Sequence, residues 1–262
     1  MKTYKNHGFT AALGHIYAWL TAAAIAATAL FIVLAVVIMG AGAISPEFLT
    51  SEPSASAIDP GADGGVLTPI VGTVVLTAIG IGIALPVSLA TAIYITFYAR
   101  RGAAGGGIGL AVDVLAGVPT VVIALFALAV FTRPAFTFLS TPVVTGGVAA
   151  RAYGRSFLVA GVAMAVMILP FVVKSMAEAL RTVPGEYLDG ALALGATKWR
   201  VISRVALPAA RRGIITGTVL GMGRIMGDTA IVWLALGGSL RMTGPRPWYA
   251  PANWLDTLRN AG

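Results

Sequence analysis

The chain contains no cysteine and little charge, and each shortage excludes a class of function. Without a cysteine among its 262 residues, it can form no disulfide, no thiolate nucleophile and no Cys-based metal site. Its two histidines, His7 and His15, both precede the first long apolar run, so neither a metal centre nor a histidine-based catalytic set is predicted. Only 11% of its residues are charged, less than half of the ~25% usual in soluble domains.

An ATP-binding loop is also absent. No Gly-x-x-x-x-Gly-Lys-[Ser/Thr] sequence occurs, so the chain itself is not predicted to hydrolyse ATP. The glycine-rich run at 105–109 lacks the lysine and is interpreted as a flexible loop. We therefore expect this chain to bind no cofactor, and the missing catalytic groups argue against a membrane-bound enzyme.

Apolar residues, in contrast, make up 58% of the chain, and they occur in blocks long enough to cross ~30 Å of hydrocarbon as helices. Within a bilayer every backbone polar group must be paired internally, which a helix achieves within one segment. We predict an all-α, polytopic transmembrane helix bundle. The expected spans are 17–43, 67–98, 109–131, 157–180 and 208–236. The first apolar run is about twice as long as a signal-peptide core of ~7–15 residues, so it is interpreted as a retained membrane helix.

The distribution of charge predicts the orientation of the chain. A net charge of +8 suggests nucleic acid in a soluble protein, but here the bases concentrate in alternate loops. The loop at 45–67 has acids and no base, namely Glu47, Glu52, Asp59 and Asp63. Bases of the opposite side are Lys2, Lys5, Arg100, Arg101, Lys174, Arg181, Lys198, Arg200, Arg204, Arg211 and Arg212. The positive-inside rule then places the N-terminus in the cytoplasm of a prokaryotic cell, and we predict no nucleic-acid partner.

Two features of the outer side are less easily assigned. Arg133, Arg151 and Arg155 depart from the positive-inside pattern; solvated loop charges and contacts to a substrate-binding protein are both open as explanations. The polar end, 237–262, carries Trp248, Tyr249 and Trp254, which suit a membrane interface. No sixth span follows the fifth.

The most informative stretch is residues 184–208, called the elbow below. Pro184 suits a helix start and Gly195 supplies the freedom for a turn, so two short amphipathic helices joined at Gly195 are predicted. A helix on the lipid surface, with its bases near anionic headgroups, is one interpretation. The other is a docking surface for a partner protein, with Leu194 and Trp199 as exposed anchors.

The spacing within the elbow resembles the E-A-A-x3-G-x9-I-x-L-P motif of type I ABC importer permeases. The matching positions are Asp189, Gly190, Ala191, Gly195, Val205, Leu207 and Pro208. The resemblance implies the MetI-like permease fold. It also implies that the elbow is the helix that couples to a separate ATPase dimer, on which ATP and magnesium are bound.

Five further sequence segments are similar to those of the phosphate-specific (Pst) permeases. They are residues 115–120, 168–170, 193–197, 213–217 and 224–230, and the Asp-Thr-Ala ending of the last favours an A-type subunit. This resemblance implies a second, C-type permease subunit and an extracytoplasmic phosphate-binding protein as partners. Family members normally have a sixth span, so this sequence resembles a truncated one. We take 1–262 as one permease domain, with its core at about 67–237.

Two charged residues, Arg224 and Asp228, fall inside the fifth apolar span. Arg224 is 12 residues after Arg212, which is ~18 Å along a helix, and a charge at such a depth usually has a partner or a function. Glycines at 213, 217 and 221 share this side of the helix and predict close packing.

Two interpretations of this pair are open: a buried ion pair that fixes helix packing, and a pathway in which Asp228 holds the guanidinium of Arg224 while it contacts a passing oxyanion. A guanidinium binds phosphate oxygens through two parallel hydrogen bonds, and the resemblance implies the second interpretation. Thr120, after Gly117 and Pro119, is a further candidate at an opened helix turn; a kink with an internally bonded hydroxyl is the alternative. Asp113 is interpreted as a polar helix-end group.

The function predicted from these features is the permease subunit of an ATP-driven phosphate importer. Sulfate and molybdate suit an arginine equally well and stay open as substrates. An ATP-independent anion channel or carrier would explain Arg224 and Asp228, but it leaves the elbow without a role.

Overall fold

The computed structural model describes residues 7–51, 64–99, 103–139, 142–145, 148–151, 155–236 and 254–259. The chain divides into two compact units, Met1–Leu67 and Thr68–Gly262. The division falls at the position predicted for the start of the core. That all 262 residues form one domain stays a prediction.

The first unit consists mainly of one long helix. Helix α1 (His7–Gly40) runs into a 3-10 turn (Ala41–Ala43), and a short helix α2 (Pro46–Thr50) follows. Proline occupies the first position of α2 and the hydroxyl of Ser45 accepts a hydrogen bond from the N–H of Phe48 at 3.1 Å, which are usual features of a helix start. Apolar side chains lie exposed along the length of α1.

The second unit contains the remaining elements. They are α3 (Leu67–Ile93, continued by a π turn, Tyr94–Tyr98), α4 (Ala103–Ala116), α5 (Thr120–Phe131), a 3-10 turn (Pro134–Leu139), β1 (Pro142–Thr145), β2 (Val148–Arg151), α6 (Phe157–Arg181), α7 (Gly185–Ala193), α8 (Lys198–Val201, continued by a π turn, Ile202–Ala206), α9 (Leu207–Met226), α10 (Ala230–Leu236) and α11 (Trp254–Arg259).

Helix α6 is the centre of this unit. It packs against α9 and also against α4, α5, α10 and α11. Its buried side chains include Met164, Ile168 and Met176. Both α3 and α6 continue through their internal prolines, Pro86 and Pro170, as helices within a membrane bundle commonly do.

The helical, multi-span architecture predicted from the sequence is confirmed, with two departures. One local interpretation is also wrong: the glycine-rich run at 105–109, expected to be a flexible loop, is helical and lies within α4. Three helices are long and apolar enough to span a membrane by themselves, and five spans result when each of two bent helix pairs counts as one. The third predicted span breaks after Ala116 with a bend of 101°, and the fifth breaks after Met226 with a bend of 61°. Both breaks contain glycine, at 117 and 227, where the backbone is least restricted.

A short hairpin is the other departure from the all-α prediction. Strands β1 and β2 pair antiparallel in the loop between α5 and α6, with Val143 opposite Ala150. Several residues used to predict orientation lie outside the described part of the chain. They are Lys2, Lys5, Glu52, Asp59, Asp63, Arg100 and Arg101. Trp248 and Tyr249, which were predicted to suit a membrane interface, lie outside it as well.

Candidate functional site

The glycines of α9 allow that helix to pack closely against α6. A Cβ atom on Gly213 would lie 2.5 Å from the Cβ of Ala179, and one on Gly217 would lie 2.5 Å from the hydroxyl of Ser175. At Gly221 the nearest atom is a methyl group of Val172, at 2.8 Å. The order of these contacts makes the two helices antiparallel. Small residues that bring helix backbones together are typical of membrane bundles, and the close packing predicted from the glycine spacing is confirmed.

Arg224 lies at the edge of this packed face, and its side chain is exposed. It is followed by Ile225, which is buried beside Gly80 of α3. Leu220 and Thr216, one and two turns earlier on α9, are exposed as well. The guanidinium therefore projects from a strip of exposed side chains along the middle of the broken fifth span.

Asp228 does not pair with Arg224, although both lie within the described part of α9–α10. Its carboxylate instead accepts a hydrogen bond of 2.8 Å from the N–H of Ile231, in the first turn of α10. Its own N–H donates to the carbonyl of Ile225 at 3.1 Å. The predicted ion pair is wrong because the helix breaks at Gly227, so the two residues do not share a continuous helical face.

Thr120 is the first residue of α5 and stands directly after the 101° break. The opened turn predicted at Gly117 and Pro119 is thus present. Among the described residues, none forms a hydrogen bond to the hydroxyl of Thr120, so the internally bonded alternative finds no support. Helix α5 packs against α10, but no hydrogen bond within the described residues joins Thr120 to Arg224 or Asp228.

An ion pair that the sequence analysis missed joins α4 to α6. Lys174 Nζ lies 2.6 Å from Asp113 Oδ1, and the two side chains are 51% and 63% exposed. Asp113 is therefore not merely a polar group at a helix end, and Lys174 lies within α6 rather than in the following loop. The residues are distant in sequence and no spacing pattern connects them; a base and an acid within apolar spans were the one available signal.

In the elbow, α7 and α8 are joined at Gly195, as predicted. Gly195 has a φ of +80°, and its N–H donates to the carbonyl of Leu192 at 2.9 Å. The N–H of Ala196 donates to the carbonyl of Ala191 at 3.2 Å. These two hydrogen bonds form a Schellman motif, which ends a helix with a left-handed residue.

Apolar side chains stand exposed around this turn. Leu194 is 90% exposed and Trp199 is 60% exposed. Asp189 and Gly190 of α7 are exposed as well. On the other side of the elbow, Ile202 is fully buried in the core. The elbow thus packs into the core on the side of Ile202 and exposes the apolar side chains of Leu194 and Trp199 on the other.

One further contact anchors the elbow. Lys198 Nζ lies 4.4 Å from the ring centroid of Tyr98, at the end of α3, a cation–π geometry.

The π turn of 202–206 precedes half-buried Leu207 and exposed Pro208. Pro208 has no N–H to donate to the carbonyl of Arg204, and a proline at this position distorts the preceding helix.

Arg133 and Arg155, two of the three arginines that departed from the charge pattern, are exposed. The third, Arg151, lies in β2. Within the described ranges no three His, Asp or Glu side chains gather as a metal site would require. The roles assigned from sequence to Arg224, Asp228, Thr120 and the elbow residues stay predictions.

A family model described as a binding-protein-dependent transport system inner membrane component matches residues 84–249. This match covers more than half of the chain and includes the elbow, Arg224 and both helix breaks. The chain belongs to this family of membrane transport components.

Curated relatives carry the names of both phosphate permease types. "Phosphate transport system permease protein PstC" of Xylella fastidiosa is 36% identical over 189 residues, covering 68% of this chain and 58% of the relative. PstC of Mesorhizobium japonicum is 34% identical, covering 75% and 62%. PstA 1 of Mycobacterium tuberculosis is 34% identical, covering 67% and 52%. The chain thus spans little more than half the length of these relatives, and the preference for an A-type subunit stays a prediction.

Two solved structures, both inward-facing forms of the MetNI methionine ABC transporter, are similar to part of the chain. One is 21% identical with a TM-score of 0.47 and covers 62% of this chain and 68% of that one. The other is 18% identical with a TM-score of 0.49 and covers 66% and 75%.

Proposed function

We propose that this chain is a permease subunit of an ATP-driven importer of inorganic phosphate and forms half of the translocation pathway. The observation that carries the proposal is Arg224. Its guanidinium is exposed and has no acidic partner within the described residues, in the middle of an apolar span of a transport-family protein. A charge at that depth costs at least about 2.5 kcal/mol on insertion scales, so its retention calls for a ligand.

Phosphate suits this ligand position. A guanidinium offers a planar fork of N–H donors that matches two oxygens of an oxyanion, and no carboxylate holds Arg224 in competition. The names of the curated relatives support phosphate over sulfate and molybdate. Thr120, at the break before α5, and Asp228, which caps α10, belong to the same proposed pathway.

The elbow is the proposed coupling element. Its exposed Leu194 and Trp199 suit a groove on a separate ATP-binding dimer, where large apolar anchors contribute most of the binding free energy. That dimer would carry the ATP and magnesium. A second permease subunit and an extracytoplasmic phosphate-binding protein complete the proposed complex, which alternates between outward and inward access.

The proposed orientation places the N-terminus and the elbow in the cytoplasm. The described bases of the elbow and of the start of α9 support this, because Arg200, Arg204, Arg211 and Arg212 are all exposed near one end of the membrane spans. Arginine and lysine concentrate on the cytoplasmic side of membrane proteins.

The test is uptake of radiolabelled phosphate into vesicles that contain the complete transporter. We expect ATP-dependent accumulation, at least about 100-fold lower in Arg224→Gln and partly retained in Arg224→Lys, because lysine keeps the charge but loses the bidentate geometry. Co-purification of the subunits should be unchanged. Normal accumulation by Arg224→Gln would contradict the proposal.

The same vesicles separate the alternatives. Uptake that continues without the ATP-binding subunit would identify a channel or carrier. Inhibition by sulfate or molybdate at concentrations as low as those of unlabelled phosphate would identify a different oxyanion as the substrate.

A further inference from the structure

Helix α6 carries an exposed strip next to the face that packs on α9. Each residue of this strip directly precedes a residue that packs against a glycine of α9. They are Phe171, Lys174 and Glu178, which precede Val172, Ser175 and Ala179. All three strip residues are exposed. The strip therefore lies about 100° around α6 from the packed face.

The exposed strip of α9 has the same relation to its own packed face. Thr216 and Leu220 each precede a buried glycine, and Arg224 continues the strip four residues later. The helices are antiparallel, and on both of them the exposed strip precedes the packed one by a single residue. In two facing antiparallel right-handed helices, that shared offset places both strips on the same side of the pair. Lys174 and Arg224 therefore belong to one exposed face.

The depth of Lys174 follows from the packing. Ser175 lies against Gly217, so its neighbour Lys174 lies at the level of Gly217. Arg224 is seven residues further along α9, which is ~10 Å at 1.5 Å per residue. The two cations thus stand at two successive depths on the same face.

The partner of Lys174 comes from another helix. Asp113 of α4 holds the ammonium group at 2.6 Å, so this ion pair links two helices. Both side chains remain about half exposed, so the pair is not sealed into the core. A half-exposed ion pair is weak enough to exchange its partner.

We propose that Lys174 is a second anion-binding residue on the pathway, ~10 Å to the cytoplasmic side of Arg224. Asp113 occupies the ammonium group between transport events and competes with phosphate for it. This inference rests on the proposed function. An anion that leaves Arg224 would meet Lys174 next, and the carboxylate of Asp113 would displace it and prevent a trapped complex.

An exchange of the two charges tests the proposal. The Asp113→Lys/Lys174→Asp variant retains an ion pair between α4 and α6 but moves the cation to the other helix. We expect normal assembly of the complex with phosphate uptake at least about tenfold lower, the loss expected when one charge-assisted contact is removed. Phosphate uptake equal to that of wild type would overturn the proposal, because an ion pair with a purely structural role joins the two helices equally well when its charges are exchanged.

Single substitutions give matched controls. Lys174→Gln should lower uptake about as strongly as the exchange, and Lys174→Arg should retain most of it. Asp113→Asn should lower the apparent KM for phosphate by about threefold, a factor typical of losing a half-exposed ion pair. Arg181→Gln, which removes a base near the end of the same helix, should leave uptake within twofold of wild type. An unchanged KM in Asp113→Asn would contradict the competition.

The absence of native cysteines allows a separate readout, the access of water-soluble reagents to position 174. A charged, water-soluble thiol reagent should modify Lys174→Cys in vesicles, and phosphate should slow the modification. A cysteine at 174 that this reagent cannot reach would overturn the proposal. If Arg224→Gln abolishes uptake while Lys174→Gln and the exchange do not, the inference about Lys174 fails alone. If wild-type vesicles accumulate no phosphate, the proposed function fails first.

Discussion

The carboxylate of Asp228 accepts a hydrogen bond of 2.8 Å from the N–H of Ile231, three residues along the chain. This bond satisfies one of the free N–H groups at the start of α10 and stabilises the second half of a broken span. The acid thus maintains the break at which Arg224 stands, and it leaves the guanidinium without a carboxylate partner in the described structure.

Replacing Asp228 separates its capping role from its charge. We expect Asp228→Ser, which can still accept the bond from Ile231, to retain the stability of α10 and most of the phosphate uptake. Asp228→Ala should lower the free energy of unfolding by about 1 kcal/mol, the usual loss for a helix cap. Thermal unfolding of the purified complex and uptake by vesicles check both. Loss of uptake in the stable serine variant would show that the negative charge itself is required.

The close approach of α9 to α6 predicts a sharp difference between two glycines of the same helix. Gly213→Ala places a methyl group 2.5 Å from the Cβ of Ala179, which has no rotamer to adopt instead. We expect a loss of about 1–3 kcal/mol, as in other overpacked sites, measured by thermal unfolding in detergent.

The control is Gly223→Ala, where no atom lies within 4 Å of the added Cβ. This variant should be as stable as wild type, or slightly more so because alanine favours helix. Equal stability of the two alanine variants would mean that the helices pack less closely than described.

The left-handed conformation of Gly195 determines the shape of the elbow. Gly195→Val should strain the turn by about 1–2 kcal/mol, because a β-branched residue is disfavoured at positive φ. Gly195→Asn should be tolerated, since asparagine adopts this conformation at helix ends. The amount of phosphate accumulated per ATP hydrolysed measures the outcome: it should fall in the valine variant alone, and an equal fall in both would argue against the turn geometry.

Exposed Trp199 is expected to affect partner binding without affecting the fold. Trp199→Ala should retain the thermal stability of the isolated chain and reduce co-purification of the ATP-binding subunit at least about tenfold, as for an interface residue that contributes over 1 kcal/mol. Trp233→Ala, a substitution of another exposed tryptophan, on α10, is the control and should co-purify normally. Equal recovery of the ATP-binding subunit with both variants would argue against docking at the elbow.

Features that depend on the local spacing of residues were predicted from the sequence. Contacts that depend on a break in a helix or on the docking of two helices were not. The spacing of Gly213, Gly217 and Gly221 indicated a packed face because close helix contact requires small residues at regular intervals. The turn at Gly195 was predicted for a similar reason: few residues other than glycine adopt its backbone conformation.

The spacing of residues along the sequence did not predict the partners of the charged residues. The four-residue step from Arg224 to Asp228 suggested an ion pair on a continuous helix, and the break at Gly227 turned the carboxylate toward Ile231 instead. The contact between Asp113 and Lys174 depends on how α4 docks against α6. Helix docking is determined by packing across the whole bundle, which leaves no periodic pattern in either segment.

The proposed pathway requires the exposed strip of α9 around Arg224 to face water and the transported anion rather than lipid. Leu220, 53% exposed and one turn before Arg224, tests it most directly as Leu220→Cys in the cysteine-free chain. We predict that a charged thiol reagent modifies this cysteine in vesicles and that phosphate slows the reaction, while Ile25→Cys in α1 stays unmodified. A cysteine at 220 that reacts with a lipid-soluble maleimide but not with the charged reagent, as at position 25, would contradict it.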